Sequence, residues 1–323
     1  MDLKQLSYFL HVADSGSFTR AAALLKIAQP ALSRQVRQLE VELRQTLLTR
    51  NGRGVTLTDA GRRLLEHGRG ILHQVERARE DLEEMRGAPV GHVAIGVPPT
   101  IGRILAAPLV SEFQKRFPKA TLGIVEGLST TIAEWLAAGR IDIGLIYNPA
   151  PSSQIETSPL VTETLYLIGP AAATAVTNGQ QRKARCVRKS PAVAGIGAPV
   201  VLKDLPRYGL VMPSRPNALR MFVESHLATI GARINVAWEI DGIPAILELV
   251  ARGHGYAVLS LNAIRNDPLR TRLLPHPIVK PKLITTLAIA TPAQRPLTPL
   301  TQKVVELIRE LAPRELESNR APA

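Results

Sequence analysis

Ser17-Phe18-Thr19-Arg20-Ala21-Ala22, a tight turn at Lys26-Ile27, and then Ala28-Gln29-Pro30-Ala31-Leu32-Ser33-Arg34-Gln35-Val36 spell two helices set at an angle. Ser17 offers an N-cap to the first, whose apolar positions are Phe18, Ala21, Ala22 and Leu25. Pro30 suits the first turn of the second, where a missing N–H costs nothing. In that second helix Leu32, Val36, Leu39 and Leu43 recur at spacings of 4, 3 and 4 and bury one face. The opposite face carries Ser33, Arg34 and Arg37 beside Gln29, a polar and basic set that packing alone does not call for. Upstream, Leu3, Leu6, Phe9, Leu10 and Ala13 share one face of a further helix that Gly16 closes.

Downstream, Leu47-Leu48-Thr49-Arg50, Asn51-Gly52-Arg53-Gly54 and Val55-Thr56-Leu57-Thr58 read as two short strands around a glycine turn, with Arg50 and Arg53 on the tip. Such a wing brings arginines to phosphates or a minor groove. Thr58 then caps a helix expected to run from Asp59 to about Arg86. From Ile71 its apolar positions Val75, Ala78, Leu82 and Met85 follow at 4, 3, 4, 3, a coiled-coil seam, and a helix of roughly 42 Å is more naturally paired than alone. Gly87-Ala88-Pro89 ends it as a hinge.

Beyond the hinge the pattern changes to βαβαβ: strand 92–97, helix 101–117, strand 120–126, helix 130–138, strand 141–146. A second block follows through 209–212, 218–230, 235–240, 243–252 and 256–259, with crossings at 160–169 and 283–291 and a closing helix at 299–311. The expected organisation is residues 1–58, a winged helix-turn-helix; 59–87, a linker that dimerises; and 88–323, an α/β region of two facing subdomains, 92–160 with 271–312 and 161–270.

Charge agrees with this division. The net +13 is uneven: residues 1–63 hold ten Lys/Arg against five Asp/Glu, and residues 164–203 hold six and no acid. Clustered basic charge marks a surface for phosphate backbones. With 45% hydrophobic and 21% charged residues the chain is globular rather than disordered, and 4% aromatic content argues against base stacking on single strands. Cys186 is the only cysteine, which excludes an intrachain disulfide and reads as an incidental loop residue, although Arg185 and Arg188 would lower its thiol pKa. The start lacks a signal-peptide pattern and no run of 18 apolar residues occurs, so a cytoplasmic protein with no membrane contact is expected.

The motifs at 17–22, 28–36 and 39–40, with Arg50-Asn51-Gly52-Arg53-Gly54-Val55-Thr56-Leu57-Thr58-Asp59-Ala60-Gly61, closely resemble the LysR-type transcriptional regulators. Gly139-Arg140-Ile141-Asp142-Ile143 and Gly253-His254-Gly255-Tyr256-Ala257-Val258-Leu259 extend the resemblance over nearly the whole chain, and Ile146-Tyr147 with Pro149 is similar to the branch of nitrogen-assimilation regulators. The resemblance implies a winged helix-turn-helix, a dimerising linker helix, a sensor like the periplasmic binding proteins and commonly a tetramer. It implies that Gln29, Pro30, Ser33 and Arg34 approach the major groove and that Arg50 and Arg53 lie on the wing. The implied partners are double-stranded promoter DNA, a small-molecule effector, further copies as a homodimer or homotetramer, and RNA polymerase. The stretch 171–200 departs from the family by its length and basicity, and its segment from Arg182 to Lys189 reads as a surface loop of the sensor.

Ligands of open parallel sheets collect beyond the carboxyl ends of strands. Val97 runs into Pro98-Pro99-Thr100, so Thr100 is expected to cap the next helix, and Ser129 and Thr130 to begin another. Ser214 and Arg215 follow a strand of the second block, and the resemblance places all of these around the effector. Helix N-termini with Arg215, and Arg103 nearby, favour an anion, most simply a small carboxylate. The seven histidines show no HxxxH or HExxH spacing, and no GxGxxG, P-loop or GxSxG occurs, so no enzyme, metal or cofactor is expected. Two other readings remain: a ligand-independent architectural DNA binder, and a solute-binding protein with an appended N-terminal domain.

Overall fold

Three helices and a hairpin close the first core: α1 (Leu3–Ser15), α2 (Phe18–Leu25), α3 (Gln29–Leu43), β1 (Leu48–Asn51) and β2 (Gly54–Leu57). They are seen in a computed structural model that describes residues 1–51, 54–84, 91–171, 195–265 and 267–317. Asp2 and Gln5 form a reciprocal capping box at α1, and Gly16 ends it in the left-handed conformation that glycine adopts without strain. Ser17 caps α2 as expected. Leu6, Phe9, Leu32, Val36, Leu39 and Leu47 are buried together. The hairpin is seated against the α1–α2 turn through Val55 N–H to the Gly16 carbonyl, 3.0 Å. Any side chain at Gly54 would place its Cβ 2.7 Å from that carbonyl oxygen.

Thr58 Oγ accepts the Gly61 N–H at 3.0 Å and starts α4 (Asp59–Glu84), whose first turns pack on α1. The expected end at Arg86, the seam residue Met85 and the hinge at 87–89 lie outside the described residues.

The remaining elements form two α/β subdomains. The first contains β3 (His92–Val97), α5 (Pro99–Arg116), β4 (Thr121–Glu126), α6 (Ser129–Ala137) and β5 (Ile143–Tyr147), with strand order β4-β3-β5, all parallel. β6 (Ile155–Pro170) then leaves it, followed by β7 (Val200–Val201), β8 (Leu210–Met212), α7 (Ala218–Ala228), β9 (Val236–Glu239), α8 (Ile243–Ala251), β10 (Ala257–Ser260) and β11 (Leu273–Val279) of the second. β12 (Ile284–Pro292) and α9 (Pro299–Glu317) return to the first. β6 serves both: residues 155–164 pair with β12, and its far end pairs with β10 and β11.

Two expectations need correction here. β11 pairs with β6 and β7, so residues 273–279 belong to the second subdomain and the return crossing falls just before Ile284, not at 271. Thr100 is not an N-cap. α5 begins two residues earlier than expected, with Pro98 as cap and Pro99 as first helical residue, because the fixed φ of proline suits that place.

Candidate functional site

The outer face of α3 is built by its inner one. With Leu32, Val36 and Leu39 buried, Arg34 and Arg37 are exposed, Pro30 is exposed at the second helical position, and Gln29 and Ser33 are half-buried beside them. Neither arginine has an ion-pair partner among the described residues. Gln29 to Arg37 spans about 12 Å of helix, close to the width of the B-DNA major groove. Glu40, on the inner side, accepts the N–H groups of Leu47 and Leu48 at 2.8 and 3.1 Å and so fixes the hairpin to this helix. In the hairpin Arg50 lies opposite Val55 in register; its side chain, and all of Arg53, lie outside the described residues, as do Cys186 and the segment 182–189.

A cavity of about 450 Å³ lies between the subdomains, at the carboxyl ends of β3, β4, β5, β8, β9 and β10. Thr100 and Ser129 line it, as expected; Thr130, Ser214 and Arg215 are not among its lining residues. Arg215 points away and pairs with Glu224 at 2.7 Å. Ser214 contributes its N–H to Asp241 at 2.8 Å. The Ser129 hydroxyl accepts the Tyr147 N–H at 3.1 Å, whereas the Thr100 hydroxyl has no hydrogen-bond partner among the described residues. The sequence reading missed the acids of the lining: Glu126, Glu163 and Asp241. Arg103 is the lining's cation, already held by Asp267 at 3.3 Å and the Ala263 carbonyl at 2.8 Å. Glu163 is buried and accepts from the Tyr147 hydroxyl and the Asn262 amide. Burial, and then the Glu163 charge, push the Tyr147 phenol well above its ordinary pKa.

At the opposite end of the first subdomain α4 docks on the sensor. Asp142, 1% exposed, accepts Ala94 N–H at 2.9 Å and His73 Nε2 at 3.1 Å. Arg77 Nε lies 3.2 Å from the same carboxylate, an ion pair whose angle falls short of a hydrogen bond, and its Nη2 donates to the Pro296 carbonyl at 3.3 Å. Burial pushes Asp142 up, but His73, the Ala94 N–H and Arg77 together outweigh it and hold the carboxyl below its usual range. Burial, with His73 beside it, lowers His92. Gln74 donates to the Gly139 carbonyl at 3.3 Å, and a Cβ at Gly70 would lie 2.0 Å from the Ala138 oxygen, which accounts for a glycine inside this helix.

A third face of α4 remains: Ile71 is 38% and Leu82 66% exposed, with Ala78 exposed and Val75 half-buried between them. These are the positions of the expected seam.

Residues 3–62 match the family model "Bacterial regulatory helix-turn-helix protein, lysR family", and residues 86–313 match "LysR substrate binding domain". The chain is 32% identical to the nitrogen assimilation regulatory protein nac of Escherichia coli, covering 95% of this chain and 94% of that one. It is likewise 32% identical to the nac protein of Klebsiella aerogenes, over 99% and 98%. Among solved structures it is similar to CbnR, a LysR family transcriptional regulator, with a TM-score of 0.69 and 23% identity over 96% of this chain and 99% of the other. Nothing enzymatic stands among these relatives, and no helix among the described residues is long and apolar enough to cross a membrane. With both of its halves matched, the chain belongs to the LysR family of bacterial helix-turn-helix transcriptional regulators.

Proposed function

We propose that residues 1–58 bind promoter DNA through α3, that residues 59–87 pair two copies, and that the remainder senses a small effector in the cavity between the subdomains. The observation that carries the DNA reading is the exposed Arg34–Arg37 face, basic and without ion-pair partners among the described residues. Guanine edges open in the major groove present paired acceptors that an arginine free of carboxylate partners can meet with two hydrogen bonds. Arg34→Ala is expected to weaken binding to the cognate promoter by about 1–3 kcal/mol, roughly 5- to 150-fold, with less effect on scrambled DNA. A mobility-shift titration in which affinity and selectivity stay unchanged contradicts the assignment. Arg50 and Arg53 are assigned to the backbone on the strength of the family resemblance, and Arg37 to the same surface as Arg34. RNA polymerase is the further partner such a regulator meets at a promoter.

Effector control rests on the cavity and on two rigid elements that leave it. β5 runs from Tyr147 at the cavity back to Ile143 beside Asp142, and α6 runs from Ser129 to Ala137 beside the contact with Gly70. Closure of the subdomains therefore moves groups that hold α4, which carries the DNA-binding unit. The ligand-independent architectural reading leaves the cavity without a purpose. The expectation of a carboxylate effector loses its main support, since Arg215 lies outside the lining and Arg103 is already paired. Thr100→Val is expected to weaken effector binding about tenfold at most, one hydrogen bond of ~0.5–1.5 kcal/mol, with DNA affinity in the absence of effector unchanged. Titration calorimetry checks the first and anisotropy the second.

A further inference from the structure

Charge in the cavity is unbalanced. Glu126, Glu163 and Asp241 line it, and the guanidinium of Arg103 is neutralised by Asp267. Two of the four helix N-termini at the cavity, those of α5 and α8, also have an acid of the protein beside them: the Glu126 carboxylate lies over the first turn of α5, 2.7 Å from where a Cβ on Gly102 would stand, and Asp241 stands two residues before α8. An anionic ligand arriving at these helix ends would meet carboxylates already there. Glu163 differs from both in being buried, 6% exposed, with only neutral donors, the Tyr147 hydroxyl and the Asn262 amide, and no ion pair among the described residues. A buried carboxylate without a counterion gains most from a cation that replaces lost water. Apolar side chains, Pro98, Leu128, Leu165, Leu219 and Leu259 among them, supply much of the rest of the wall, beside the neutral polar Thr100, Ser129, Asn217, Ser260 and Thr285. That surface matches a hydrocarbon body, not a hydrated inorganic ion.

We propose that the effector is a small organic cation, a protonated amine on an apolar body, whose ammonium group is held by Glu163 and Glu126. This rests on the reading of the cavity as the effector site. The test uses size-matched triplets on the full chain, benzylamine, benzyl alcohol and benzoate, and 1,4-diaminobutane, 1,4-butanediol and succinate, each to 10 mM, with binding read by thermal shift and calorimetry. The expected result is that in at least one triplet the amine binds at least tenfold more tightly than its carboxylate. Glu163→Gln is expected to remove that preference while leaving the alcohol's binding unchanged. Because Glu163 is buried, Glu126→Gln, at an exposed position without internal hydrogen bonds among the described residues, serves as a second variant and is expected to reduce the same preference several-fold. Carboxylate binding equal to or tighter than the amine's, weakened by Thr100→Val, overturns the cation assignment and keeps the cavity. An amine preference that survives both substitutions also overturns it. Silence from all six probes overturns the cation and the cavity reading together.

Discussion

Asp142→Ala is expected to lower the melting temperature of the full chain by roughly 5–15 °C. The substitution removes the acceptor of the Ala94 N–H and of His73, and leaves Arg77, 6% exposed, as a buried cation without its counterion. Breaking one partner of a buried pair costs about 3–5 kcal/mol, and each kcal/mol moves the midpoint of a chain of this size by about 2–4 °C or less. Asp142→Asn keeps an acceptor for Ala94 and should fall between. The pH dependence has a fixed sign. A carboxyl held below its usual range contributes fully above the unfolded pKa and loses that contribution as pH falls through the lowered folded value. The gap between the parent chain and Asp142→Asn should therefore be constant near neutrality and shrink only in acid. Scanning calorimetry of the three proteins at pH 7 and at successive pH values below 3.8 decides this, and an unchanged midpoint for Asp142→Ala at pH 7 would remove the docking of α4 from the account.

Val75→Glu is expected to convert the paired protein to monomers. Ile71, Val75, Ala78 and Leu82 lie on a face of α4 that neither the DNA-binding core nor the sensor covers, since Leu64, Leu65 and Leu72 serve the first and Gly70, His73, Gln74 and Arg77 the second. Covering such a stripe with its own copy repeats the 4, 3, 4 spacing as knobs into holes, and a charge at the half-buried position would be trapped in that seam. A monomer engages one half-site instead of two, so DNA affinity should fall by about 10²–10⁴. Sedimentation velocity reads the first effect directly, and an unaltered sedimentation coefficient would contradict the seam.

The parts legible in the sequence are those written in local periodicity. Leu32, Val36 and Leu39 at helical spacing set the inner face of α3, and so expose Arg34 and Arg37; Gly16, Ser17 and Thr58 mark helix ends by capping chemistry. Thr100 and Ser129 follow from the rule that ligands gather at strand ends. The docking of α4 could not be read, because His73 and Asp142 stand 69 positions apart and no pattern links them. Glu163 shares its strand face with the buried Val161 and Leu165, but its partners Tyr147 and Asn262 stand 16 and 99 positions away, and no local pattern links them to it. β11 was missed because Pro275 and Pro277 interrupt it, and prolines demote a strand reading. Arg215 looked like a ligand group because it follows a strand and because the family resemblance put it at the effector; Glu224, in the helix that follows it, takes its charge.

The central claim is that two copies of α3, held by α4, read paired sequences in promoter DNA. Sheared genomic DNA passed over the immobilised protein and sequenced tests it most directly. The account predicts enrichment of fragments sharing an inverted repeat, with half-sites about one helical turn or a multiple apart, roughly 10–10.5 base pairs each, and loss of that enrichment with Arg34→Ala. Recovery of fragments at their input frequencies, or the same enrichment with Arg34→Ala, would contradict it.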